Sequence, residues 1–149
     1  MNVQLSPHPS GAPVYTVQAG ENEFEIAAFG GQLLSWTKGG VPILFANRLH
    51  AIQDAQTPYR GGAPICFPYF SKGLLLPDGT LVEPQHGRAR VTTWEAEAGQ
   101  TLVFRTEQPS ADGYGPTAFR CEIAYGFADD LQIDATITNV GDRPAPFQF

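Results

Sequence analysis

Two short segments of this chain gather most of its groups capable of binding chemistry. The first is Tyr59-Arg60-Gly61-Gly62-Ala63-Pro64-Ile65-Cys66-Phe67-Pro68-Tyr69-Phe70, and the second is Pro84-Gln85-His86-Gly87-Arg88-Ala89-Arg90, followed by Trp94. Gln85, His86, Arg88 and Arg90 place an amide, an imidazole and two guanidiniums within six residues. Guanidinium is a planar fork of N–H donors that matches carboxylate and phosphate oxygens two at a time. Gly61-Gly62 lets backbone approach a ligand, and Pro64 and Pro68 stiffen the chain beyond the glycines. In an extended segment, residues 86, 88 and 90 share one face. The chemistry this suggests is capture of an oxygen-rich, anionic small molecule. A solvated polar loop has the same spacing, and that reading stays open at this point.

Proton-transfer groups are harder to place. His50 follows Asn47-Arg48-Leu49, Glu83 precedes Pro84, and His8 lies in a Pro-flanked terminus. No spacing fixes any of them near the donor cluster, and His8 reads as solvated. The facing acid pair of a glycosidase cannot be placed. There is no GxSxG anchor, no GxxxxGK[ST] phosphate loop and no GxGxxG fingerprint. Cys66 and Cys121 form no CxxC pair and read as small core residues. With three histidines and no Cys/His cluster, neither a metal nor another cofactor is expected.

The formal net charge is −6, from nine cations and fifteen anions. That balance argues against nucleic acid or an anionic membrane as the main partner. Residues 59–90 run against the trend. Arg60, Lys72, Arg88 and Arg90 face only Asp78 and Glu83, so this window carries +2 and the remainder −8. Seven of the nine cations are Arg, the better residue for bidentate anion capture. No apolar run exceeds four residues, too short for a membrane-spanning helix. The first residues lack a basic flank followed by an apolar run, so a cytoplasmic location is expected.

The elements that must position the cluster read as strands. The length, 149 residues, suits one domain of roughly 100–200 residues. Sixteen Gly and thirteen Pro argue against long helices. Val14–Val17 and Phe24–Ala27 are short alternating runs. Trp94–Glu97 leads through Gly99-Gln100 into Thr101–Arg105, a hairpin by its turn content. Phe119, Cys121, Ile123, Tyr125 and Phe127 alternate with smaller or polar residues, and so do Leu131, Ile133, Ala135 and Ile137. A period of two over that length predicts two half-buried antiparallel strands joined by a short turn. Leu44–Ala55 is the one stretch that suits a helix, with Phe45, Leu49 and Ile52 at partial 3.6 spacing. Residues 57–90, rich in proline, read as an ordered irregular stretch, and so long a loop in a compact domain is usually functional. Trp94 reads as core, while Tyr69 and Phe70 are either core or a stacking surface for a sugar ring.

The paired motifs RGGAPICFPYF and PQHGRARVTTW resemble the aldose 1-epimerase superfamily. They are most similar to its hexose-6-phosphate mutarotase branch, whose pattern is RGG-I-P-x-x-F-P-x-F-G followed by PQHGFAR-x-x-x-W. Weaker similarity covers Gly30–Trp36, Leu44-Phe45 and the stretch from Thr138-Asn139 to Pro146-Phe147. The resemblance implies an all-β fold, an antiparallel β-sandwich of the galactose-mutarotase (super-sandwich) type. It implies that residues 1–149 are the N-terminal part of a single domain, whose sandwich they leave incomplete.

The implied activity is that of an isomerase exchanging the α and β anomers of a hexose, expected to carry a 6-phosphate. By the motif, Arg60 and Arg90 hold the phosphate, Gln85 contacts the sugar and His86 lines the pocket. Among the departures from the pattern, Arg88 replaces Phe and Ser71 replaces Gly. Arg88 is either a third cation for the anion or a solvent-facing residue. The family's catalytic His and Glu are expected beyond Phe149, so this chain is expected to hold ligand without the proton-transfer half of the site. A carbohydrate-binding module without turnover is the alternative.

Overall fold

The structure, a computed structural model, describes residues 2–7, 11, 13–46, 57–72, 74–75, 77–79, 81–111, 116–127, 130–144 and 147. Eleven strands succeed one another along these residues. They are β1 (Asn2–Pro7), β2 (Pro13–Ala19), β3 (Asn22–Ala27), β4 (Gln32–Lys38), β5 (Val41–Leu44), β6 (Leu74–Leu75), β7 (Leu81–Glu83), β8 (Glu95–Ala98), β9 (Leu102–Ala111), β10 (Pro116–Phe127) and β11 (Leu131–Asn139). The first five form an antiparallel meander in chain order. The last four form a second antiparallel sheet in the order β11-β10-β9-β8. A small ribbon pairs β6 with β7 inside the long middle stretch.

The alternation along β10 produces the expected hairpin. Phe119 pairs with Asn139 and Phe127 with Leu131, the register running without a break. Phe119, Cys121, Ile123 and Tyr125 are buried to 1% exposure or less, while Arg120 lies outward among ion pairs. Leu102 and Phe104 extend the same inner face on β9. From the first sheet, Val17, Phe24, Ile26 and Leu33 meet them in one apolar cluster. The molecule is therefore a two-layer β-sandwich, each sheet burying one face against the other.

One sequence expectation ends differently. Leu44 closes strand β5 instead of opening a helix, because its pairing with Trp36 extends the meander. The rest of that expected helix, from residue 47, lies outside the described residues. The middle stretch is ordered by tertiary contacts, since Ile65, Phe67, Ala89 and Trp94 from its loops complete the main core. Among the described residues no helix is long and apolar enough to cross a membrane.

Candidate functional site

Both motifs are anchored on residues 28–33, the corner where β3 turns into β4. On one side, Gly30 N–H donates to Thr92 O at 2.8 Å, Trp94 N–H donates to Ala28 O at 2.9 Å, and Phe29 bridges Thr93. On the other side, Gln32 Nε2 donates to Gly61 O at 2.6 Å and Ala63 N–H to Leu33 O at 2.8 Å. The loop bearing Arg60 and the loop bearing Arg90 therefore rest on one support. They also touch directly. Ala89 N–H donates to Phe67 O at 3.1 Å, and His86 N–H to Ser71 O at 3.0 Å.

Glycine is a requirement of this packing at two motif positions. Gly62 has φ +61°, and a Cβ there would lie 2.0 Å from Leu33 O. Gly87 has φ +77°, and a Cβ there would lie 2.1 Å from Phe67 O. Both clashes are with backbone, which cannot move aside as a side chain can. The glycines allow one loop to lie on the sheet and the other loop to lie on the first.

The arginines divide sharply by their surroundings. On the outer face of the second sheet, Arg105 is held by Glu97 at 2.7 Å and Glu122 at 2.6 Å, and Arg120 by Glu107 at 3.0 Å. These two line a cleft of about 430 Å³ with Thr93, Glu95, Thr106 and Glu107; neither Arg60 nor Arg90 lines it, and its guanidiniums are already neutralised. Arg60 and Arg90 differ. Arg60 is exposed, Arg90 is half-buried, and among the described residues neither makes a hydrogen bond or ion pair. Arg90 Nε is fully buried with its N–H unsatisfied. A buried donor left unpaired costs about 1–3 kcal/mol, so this N–H calls for a partner such as a water, an ion or a ligand. Burial raises the Cys66 thiol above its usual range, and the Arg90 guanidinium works against that shift. Arg90 therefore projects its charge onto the Cys66 segment.

The remaining expected residues separate into a surface group and a packed group. His86 is half-buried; its Nδ1 accepts from Ser71 N–H at 3.2 Å, and its ring lies 5.2 Å from that of Phe70. Phe70 is 58% exposed, which puts it on the surface beside His86. Tyr69 is buried and belongs to the packed side. Trp94 is core as expected, 2% exposed, with its indole N–H donating to Ala89 O at 2.9 Å. Gln85 and Arg88 are exposed. The expectation that 86, 88 and 90 share an extended face fails. His86 has φ +66°, Arg88 is in the right-handed helical region, and Ala89–Val91 form a 3-10 turn. The cause is the Gly87 approach to Phe67 and the seating of Ala89 in the core, which together coil the chain. Glu83 ends β7, and His8 and His50 lie outside the described residues.

Sequence reasoning assigned no role to Gln32. It is 2% exposed and clamps the Arg60 loop to the sheet. A glutamine opening the strand directly beside Leu33 and Leu34 was the available signal, since glutamine is seldom so buried without a partner.

Comparisons with known proteins agree with this architecture. A protein of Cenchrus ciliaris named "Putative glucose-6-phosphate 1-epimerase" is 28% identical over 162 residues, covering 98% of this chain and 47% of that protein. The solved Slr1438 protein from Synechocystis sp. PCC 6803 superposes with a TM-score of 0.67 at 24% identity, over 95% of this chain and 53% of its own. A galactose mutarotase-like protein from Lactobacillus casei gives a TM-score of 0.67 at 21% identity, over 90% of this chain and 47% of its own. The chain thus spans about half the length of these relatives. The aldose 1-epimerase family profile matches residues 13–149, both arginine-bearing motifs included; the chain belongs to that family.

Proposed function

We propose that this chain supplies the ligand-holding part of a mutarotase acting on a phosphorylated hexose. The observation that carries the reading is the pair of uncommitted guanidiniums, Arg60 and Arg90, on loops that share one support. The other arginines on described elements of the second sheet have carboxylates beside them, whereas these two have none among the described residues. A phosphate is the natural complement, since charge-assisted bonds to guanidinium are roughly twice as strong as neutral ones. Gln85 and His86, on the same loop as Arg90, are assigned to hydroxyl or phosphate oxygens of the sugar. Arg88 is assigned to the outer surface of the loop.

Mutarotation needs a base for the anomeric hydroxyl and an acid for the ring oxygen, so that the ring opens, C1 rotates and the ring recloses. The proposal assigns neither role within residues 1–149. It assigns them instead to the other half of the family's fold. The direct test is binding of glucose 6-phosphate by isothermal titration, paired with anomer exchange followed by NMR magnetisation transfer. Salt-sensitive binding, lost on R60A or R90A and absent for unphosphorylated glucose, is the expected result. Equal affinity for glucose and its phosphate would overturn the phosphate assignment. Accelerated exchange by the 149-residue chain alone would overturn the separation of holding from proton transfer.

A further inference from the structure

We propose that Ser71 is a positioning residue that fixes His86 as the Nε2–H tautomer, making His86 a hydrogen-bond donor to a ligand oxygen and not a general base. The assignment of that oxygen to a sugar phosphate rests on the function proposed above; the tautomer does not.

The two residues hold each other reciprocally. His86 N–H donates to Ser71 O at 3.0 Å, and Ser71 N–H donates to His86 Nδ1 at 3.2 Å. A backbone N–H can only donate, so Nδ1 must present its lone pair. In a neutral imidazole one nitrogen carries the proton and the other accepts. With Nδ1 accepting, the proton sits on Nε2. Among the described residues nothing bonds Nε2, and the side chain is half-buried. Nε2–H is therefore an oriented donor available to a ligand.

The backbone is committed to this arrangement at a cost. Ser71 at φ +69° and His86 at φ +66° are the two non-glycine residues with positive φ among the described residues, and they face each other. Such conformations are strained for a residue with a side chain and persist where the surroundings over-determine them, often at ligand sites. Here the surroundings are the Pro84–Gly87 turn, closed by Gly87 N–H to Pro84 O at 2.9 Å, and the Phe70 ring tilted against the imidazole. The same geometry limits the chemistry. A nitrogen that already bears its proton cannot accept one from an anomeric hydroxyl. His86 can polarise or hold an oxygen, and the base must come from elsewhere.

The test uses the whole chain labelled with 15N-histidine. Long-range 1H–15N correlation is recorded where the rings are neutral, and the His86 signals are assigned by their loss in H86Q. The expected pattern is a protonated Nε2 and an unprotonated Nδ1. A protonated Nδ1, or an averaged mixture, would overturn the proposal whether or not any sugar binds. S71G keeps the N–H and suits the left-handed backbone, so its tautomer should match wild type. S71V disfavours that backbone and should release a measurable share of the Nδ1–H form; an unchanged tautomer in a folded S71V would remove Ser71 from the role. Gln places an amide donor near Nε2, whereas Asn mimics Nδ1. H86Q should therefore bind glucose 6-phosphate about tenfold more tightly than H86N, the scale of one hydrogen bond. Equal affinities would overturn the donor role. A wild-type chain that shows the Nε2–H form but binds no sugar phosphate would instead sink the functional reading alone.

Discussion

Tyr125 and Gly31 lie 94 residues apart and are joined by a buried 2.7 Å hydrogen bond from the phenol hydroxyl to the backbone carbonyl. The bond runs from the inner face of the second sheet to the corner that supports both arginine loops. Tyr125→Phe removes the donor without opening a cavity and strands the Gly31 carbonyl. The expected loss is about 1–3 kcal/mol, read as a lower urea midpoint with an unchanged slope. A loss of a few tenths would mean that the corner is held by its other bonds.

Burial pushes the Cys121 thiol from 9.0 up to about 12. In the unfolded chain the thiol ionises near its ordinary value, while in the core it stays neutral. The unfolded state therefore releases its proton first as pH rises. Stability conferred by the neutral thiol is complete below about pH 9 and is lost progressively between about 9 and 12. The slope is at most about 1.4 kcal/mol per pH unit. Cys121→Ala will lower stability at neutral pH by creating a small void, and will also flatten the alkaline decline. Urea titrations between about pH 8 and about pH 10 measure both. Parallel curves for the two proteins would show that the thiol does not report on the fold.

Strand content was legible where one periodicity had one cause. The β10–β11 pair follows from residues 119–137 because each inward side chain is apolar and each neighbour small or polar, as a sandwich face demands. The motif loops were legible as chemistry but not as geometry. Nothing local in Gln85–Arg90 states that Ala89 will be seated in the core or that His86 will turn left-handed. Those outcomes come from Phe67 and Ser71, which lie 22 residues from Ala89 and 15 from His86 in the chain, and tertiary contacts override local preference. Gln32 was missed for the same reason, since its partner Gly61 lies in another motif. The alternation of Leu131, Ile133, Ala135 and Ile137 was read correctly as strand, and Leu131 and Ile137 do pack against the core, yet the middle of the strand stays open. Ile133 is 43% exposed, because pattern reveals which face is apolar and not whether anything covers it.

Gly62 offers the sharpest test of the loop-on-sheet packing. Gly62→Ala would put a Cβ 2.0 Å from Leu33 O in a backbone at φ +61°. Neither the strand nor the loop can relax without losing the Ala63–Leu33 bond or the Gly62–Phe45 bond. The expected cost is about 2–4 kcal/mol, combining strain with lost bonds. By contrast, Gly20→Ala, where no atom lies within 4 Å of the added carbon, should cost about 1 kcal/mol, from positive φ alone. Thermal or urea unfolding of the pair checks the contrast. Equal losses would show that the loop yields freely, and the common support for Arg60 and Arg90 would lose its rigidity.

Among the described residues, strand β11 is the outer strand of the second sheet. Its unpaired backbone groups lie beside an apolar row, with Ile133 43% exposed and Val140 41% exposed just past its end. An edge strand with exposed aliphatics templates further strand pairing unless a charge interrupts it. The charge available, Asp134, points to the opposite face by the alternation. The chain by itself is therefore expected to self-associate as concentration rises, visible as an increasing weight-average mass in sedimentation equilibrium. Ile133→Lys places a cation in the apolar row and should shift the protein toward monomer while leaving the urea midpoint within about 0.5 kcal/mol of wild type, the usual range for a surface change. A monomer at all concentrations would show that the edge is protected by its own twist. Association unaffected by Ile133→Lys would move the contact to another surface, for which exposed Val41, Ile43 and Phe45 beside the first sheet are the next residues to change.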